Sequence, residues 1–207
     1  SAVASRDSEL ETRCGEVGGV RAAGVDMGAG VLGGHLLAYG GRDSGGALTN
    51  VYSFDGSSWA EITGMNPGKF SMGYAACSGK VYSVAGYTFT SATYAFDGST
   101  WSAVSNYPIS GGCAALAGAT LDGYMYMYGG QDFDAGLTNA FRYDGNAWNE
   151  IAGLPTAMSD LGAAAYDGSV YAFGGRNGST TLTNVYRYPG HITSSGVLPA
   201  SGSWTGG

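Results

Sequence analysis

The sequence predicts an all-β fold of about four four-stranded antiparallel sheets, and three observations carry that expectation. Glycine markers return at intervals of 45, 44 and 45 residues, a period that implies one supersecondary unit per copy. Within each unit, alternating runs of aromatic and β-branched residues lie between Gly, Asp and Asn turns. Glycine numbers 38 and tyrosine 15 among 207 residues, while charged residues make up only 12%. That composition suits many short strands better than helical bundles.

Each unit resolves into four strand signals. The unit ending at Gly175 has a small-residue first strand, Gly162 to Tyr166, then a turn at Asp167-Gly168 and a second strand, Ser169 to Phe173. The same turn recurs at Gly33-Gly34, Ser78-Gly79 and Asp122-Gly123, where glycine takes the positive φ that a two-residue hairpin demands. The second strand runs into the marker itself: Gly40-Gly41, Ala85-Gly86, Gly129-Gly130 and Gly174-Gly175. A loop then leads to a third strand holding Tyr52, Tyr94, Phe141 or Tyr186. Three copies continue Asp-Gly-x-x-Trp to Trp59, Trp101 and Trp148, each followed by a proline. In the fourth copy Ile192 stands where Trp is expected, so its fourth strand is placed near Ile192.

A lone sheet of this kind exposes apolar residues on both faces, as Tyr124-Met125-Tyr126-Met127-Tyr128 illustrates, and neighbouring sheets must cover both. Radial stacking does so while leaving short protected edges. The Trp59, Trp101 and Trp148 rings fit as filling between sheets, each burying roughly 150 to 250 Å².

Taken together, the glycine pair, the third-strand aromatic and the Trp after the next turn resemble the kelch family over about residues 20 to 199. The resemblance implies a kelch-type β-propeller, and many kelch propellers bind proteins through loops at one rim. Repeats are expected at about 20–65, 66–110, 111–154 and 155–199, after a polar acidic tail or linker at 1–19. Residues 200–207 read as the start of a further strand, from Gly202 to Trp204, or as a tail. Kelch rings generally close with more than four blades. Three forms therefore stand open: a fragment, a ring completed by another polypeptide, or an unusually small ring.

Charge and motifs narrow the function. The formal net charge of −7 comes with no Lys/Arg cluster, so a nucleic-acid partner is not expected. No apolar run approaches the roughly 18 residues of a spanning helix. Cys14, Cys77 and Cys113 lack CxxC spacing, and Cys77 and Cys113 read as buried apolar thiols. His35 and His191 have no second ligand at metal spacing. In Gln131 to Gly136, Asp132 and Asp134 offer two hard oxygens but lack the later Glu of a calcium loop. Neither a metal nor a cofactor is expected. Asp55, Asp97 and Asp144, each directly before glycine, read as turn formers.

What remains is a binding role. The loops after the glycine pairs differ while the framework repeats. Their candidate binding residues are Arg42, Asp43, Phe89, Asp132, Phe133, Asp134, Arg176 and Asn177. The leading expectation is a protein-interaction module or scaffold, part of a larger assembly, with a protein partner that completes the propeller or joins it in a complex. A glycan-binding propeller is the alternative, and an enzyme of kelch-type fold, mutarotase-like or oxidase-like, comes third, with no catalytic residue to carry over. The low charge and the Asn177-Gly178-Ser179 sequon point to a secreted or lumenal setting rather than the cytoplasm.

Overall fold

Paired left-handed residues set the frame. At the first turn of every unit both central residues have positive φ: Gly33 and Gly34 (59° and 83°), Ser78 and Gly79 (49° and 70°), Asp122 and Gly123 (51° and 76°), Asp167 and Gly168 (45° and 65°). This is the turn whose twist matches that of the flanking strands. In the computed structural model, which describes residues 19–20, 24–190 and 202–206, the four turns join β1 (Gly28–Leu32) to β2 (His35–Tyr39), β7 (Gly73–Cys77) to β8 (Lys80–Val84), β11 (Ala117–Leu121) to β12 (Tyr124–Tyr128) and β15 (Gly162–Tyr166) to β16 (Ser169–Phe173).

The glycine pair then ends each second strand. A Cβ at Gly129 would lie 2.5 Å from the Met158 carbonyl oxygen, and its φ is +66°, so only glycine fits without a shift. In the second unit Ala85 takes the same left-handed turn at φ 56° and is fully buried. Its N–H donates to Ala92 O as that of Gly40 donates to Asn50 O. The missing glycine therefore leaves the backbone path unchanged.

Four antiparallel sheets result, each a meander from an inner to an outer strand. The first unit adds a two-residue hairpin, β3 (Arg42–Asp43) with β4 (Gly46–Ala47), then β5 (Val51–Phe54) and β6 (Trp59–Ile62). The second adds β9 (Thr93–Phe96) and β10 (Trp101–Val104), and the third β13 (Ala140–Tyr143) and β14 (Trp148–Ile151). The fourth has its own small hairpin, β17 (Arg176–Asn177) with β18 (Thr180–Thr181), followed by β19 (Val185–Pro189) and β20 (Thr205–Gly206). No helix occurs among the described residues. The inner strands β1, β7, β11 and β15 pack neighbour on neighbour, and the ring stays open between β15 and β1.

The expected start of a fifth unit is corrected here. Thr205 pairs with Arg187 and Gly206 with Tyr186, so this segment is the outer strand of the fourth sheet. Trp204 is buried there, with its ring 5.5 Å from Tyr188 and 5.0 Å from Tyr128. Its Nε1 donates to Ala152 O at 2.8 Å, as Trp148 Nε1 donates to Ser105 O at 2.9 Å. The fourth unit does have its Trp, displaced along the chain. Ile192, together with His191, Pro199, Cys14 and residues 1–18 of the tail, lies outside the described residues.

Packing between sheets follows one rule. From the second unit on, the Trp reaches back to the preceding sheet: Trp101 stacks on Phe96 of its own sheet at 5.1 Å and meets Tyr39 of the first at 5.3 Å. Trp148 meets Tyr143 at 4.8 Å and Tyr107 at 5.0 Å. Tyrosine hydroxyls tie the sheets forward, Tyr39 to Tyr82 O at 2.8 Å and Tyr128 to Tyr171 O at 2.6 Å. Trp59 has Phe54 at 5.1 Å in its own sheet and no preceding sheet among the described residues.

That contrast is testable. Trp101→Ala should cost about 3 kcal/mol as a large ring lost from between two sheets, and Trp59→Ala less than half as much. Urea unfolding of both variants checks it, and equal losses would count against the radial stacking.

Candidate functional site

The loops after the glycine pairs and the connections from each outer strand to the next inner strand lie on one rim. They are stitched by the single bridges Val25 with Arg42, Phe70 with Tyr87, Ala114 with Gln131, and Ser159 with Arg176. Because strands alternate direction, the two-residue turns and the Asp-Gly turns lie on the other.

On the first rim the two arginines named from sequence are already paired. Arg42 Nε donates to Asp26 Oδ2 at 2.9 Å and Arg176 Nε to Asp160 Oδ2 at 2.5 Å. Asp26 and Asp160 hold equivalent left-handed positions, with φ 59° and 50°, two residues before the inner-strand glycines Gly28 and Gly162. Sequence reasoning missed both, although the repeat frame places them opposite the arginines. These exposed pairs contribute little stability and orient the side chains across the rim.

The other candidates divide. Asp43 Oδ1 accepts the Gly45 N–H at 2.7 Å, and Asp132 Oδ1 accepts the N–H groups of Asp134 and Ala135 at 2.9 and 2.8 Å. The bonds from Ala135 and Asp134 lower the Asp132 pKa. Both carboxylates shape their loops, with Asp134 exposed beside the second. Asn177 pairs with Thr180 in the small hairpin. Among the described residues no three His, Cys, Asp or Glu side chains gather as a metal site.

Phe89 and Phe133 come together, their centroids 4.1 Å apart. They end a ridge of rings that runs from Phe70 to Tyr87 at 4.7 Å and on to Phe89 at 5.5 Å, with the Arg42 guanidinium 5.1 Å over Phe70. The ridge crosses from the second unit to the third, and Phe133 at its end is 72% exposed. Sequence reasoning named Phe89 and Phe133 but not Phe70, Tyr87 or the neighbouring Lys69. Phe70 lies in a connection, and its role depends on the bridge to Tyr87, which no local pattern reveals.

On the opposite rim Asp55, Asp97 and Asp144 cap their turns. Asp97 Oδ1 accepts the Ser99 and Thr100 N–H groups at 2.8 and 2.9 Å; Asp55 and Asp144 repeat the pattern. Hydrogen bonds, led by the backbone N–H of Thr100, hold the Asp97 carboxyl well below the usual carboxylate range. Cys77 and Cys113 are buried free thiols, and burial pushes Cys113 up to about 12.

Residues 23–66 and 157–188 match the Kelch motif. Two of the chain's four units, the first and the last, thus carry a recognisable Kelch motif. The solved structure of YjhT is similar in fold, with a TM-score of 0.71 at 12% identity, covering 88% of this chain and 68% of that one. No curated protein matches this sequence. The matched segments contain Gly40-Gly41, Trp59 and Gly174-Gly175, and leave the rim residues to be argued from their own chemistry.

A depressed carboxyl pKa contributes stability that is present above the unfolded value, about 3.9, and is lost as pH falls through the folded one. The sheets should therefore lose stability on acidification below about pH 4. Asp97→Asn, which keeps an acceptor but removes the titration, should flatten that dependence. Urea midpoints measured across the acid range decide it; an unchanged slope would remove Asp97 from the account.

Proposed function

We propose that this chain is a kelch-repeat protein-interaction module that works within a larger assembly, docking partner proteins on its two end faces and presenting its rim loops to them. One observation carries the reading. On the face that each sheet turns to the next, Val51, Thr93 and Ala140 are fully buried, while the equivalent Val185 of the last sheet is 44% exposed. In the same row Tyr39, Val84 and Tyr128 are buried, and Phe173 is 41% exposed. On the opposite face Val81, Met125 and Val170 are buried, and the equivalent Leu36 of the first sheet is 40% exposed. Two apolar faces that are interior everywhere else in the stack face outward at its ends, the kind of patch that marks an interaction surface.

The partner implied is a protein that offers apolar sheet surface to these ends and so completes the propeller. No helix of the described residues is long and apolar enough to cross a membrane, and the acidic balance, at −7, gives nucleic acid nothing to bind. A second reading, a glycan-binding propeller, draws on the ridge of Phe70, Tyr87, Phe89 and Phe133, since exposed ring faces stack on sugars as well as on side chains. Its discriminating assay is a glycan array compared with Phe133→Ala, which the first reading leaves silent.

In isolation the chain should associate with rising concentration and bind an apolar dye, and Leu36→Glu with Val185→Glu should make it monomeric and dye-silent. Light scattering provides the check. A monomer that binds no dye and ignores both substitutions would overturn the reading.

A further inference from the structure

Between the first two sheets the binding rim holds a hollow of about 490 Å³, lined among others by Lys69, Phe70, Tyr87, Thr90 and Tyr94. That volume falls within the range of small-molecule sites. Lys69 is 2% exposed. Its Nζ donates to Ala85 O at 2.8 Å and Ala92 O at 2.5 Å and stands 5.0 Å over the Tyr94 ring. An ammonium carries three donors, so one is left over.

The equivalent position in later units carries no charge. The Lys69 carbonyl accepts the Gly41 N–H at 2.7 Å, and the equivalent bonds in later units are Gly86 to Cys113 and Gly130 to Met158, each 2.8 Å. A thiol and a thioether thus fill the same slot between the later sheets. Nor is the ammonium neutralised: the ion pairs among the described residues are Arg42 with Asp26 and Arg176 with Asp160. A buried cation without a counter-ion is costly, and burial lowers the Lys69 pKa to about 8, a nearby Cys113 acting weakly the other way.

We propose that this hollow binds a small organic carboxylate carried on an aromatic ring, with the anion facing the Lys69 ammonium and the ring set against Phe70, Tyr87 and Tyr94. The site supplies what each part of such a ligand needs: a desolvated cation with a spare donor, and aromatic walls. Arg42 lies at its edge over Phe70 with its charge already held by Asp26. The ionisable groups facing Lys69 are Tyr87 and Tyr94 from the second sheet's loop and third strand and Cys113 from the connection behind, whose thiol stays protonated near pH 8.

Calorimetric titration of the chain with benzoate and with its neutral isostere benzamide tests the proposal. At pH 7 benzoate should bind at least tenfold more tightly. Because binding needs the ammonium, its affinity should fall by about tenfold per pH unit above pH 8. Lys69→Met, which installs the side chain of the equivalent Met158, should abolish the preference. Equal affinities for the two probes, no saturable benzoate binding, or a preference that survives in Lys69→Met would each overturn it. The first two comparisons use the unaltered chain and stand even if the variant fails to fold.

Discussion

Two-sided burial is the constraint on which this structure depends. Each four-stranded sheet carries apolar side chains on both faces, and the inner positions Val81, Val84, Met125, Met127 and Val170 are all fully buried only because a sheet lies on either side. Burying such a side chain stabilises by roughly 1.5–3 kcal/mol, so every additional sheet makes its neighbours more stable. The tryptophans and tyrosines give the stack its direction. After the first sheet each Trp reaches back to the preceding one, as Trp101 does to Tyr39, and hydroxyls such as Tyr128 reach forward to the next. The interface between sheets is thus heterologous, with two unlike halves that repeat along the arc.

A heterologous interface that repeats without closing leaves one half at each end. That is the physical source of the functional reading: the apolar faces that packing buries in the middle of the molecule are left exposed at its ends. The rim is a separate matter. There the chain places an aromatic ridge, two oriented arginines and a buried lysine in a slot that elsewhere takes neutral side chains.

Much of the framework was legible in the sequence because it is local. Turns such as Asp122-Gly123 need positive φ at both positions, and strand alternation needs only neighbouring residues. The glycine pairs were visible for the same reason, although Ala85 shows that the conformation tolerates a methyl there. What the sequence hid was non-local. Trp204 read as the start of a further strand because the fourth unit's Trp is displaced from its expected spacing, and only pairing of Thr205 with Arg187 places it in the fourth sheet. On the rim, Phe89 and Phe133 stood out as loop aromatics, whereas Phe70 and Lys69 sit in a connection whose partners lie 16 to 23 residues further along the chain.

The central claim is that equivalent positions differ in burial solely because the stack ends. It is tested most directly by placing one carboxylate at two equivalent sites, Ala140→Asp in the third sheet and Val185→Asp in the last, and measuring urea unfolding of each. Ala140 is fully buried and Val185 is 44% exposed. The account predicts a loss of about 3 kcal/mol or more for Ala140→Asp, an unpaired charge forced between sheets, and no more than about 0.5 kcal/mol for Val185→Asp. Comparable losses at the two positions would contradict it.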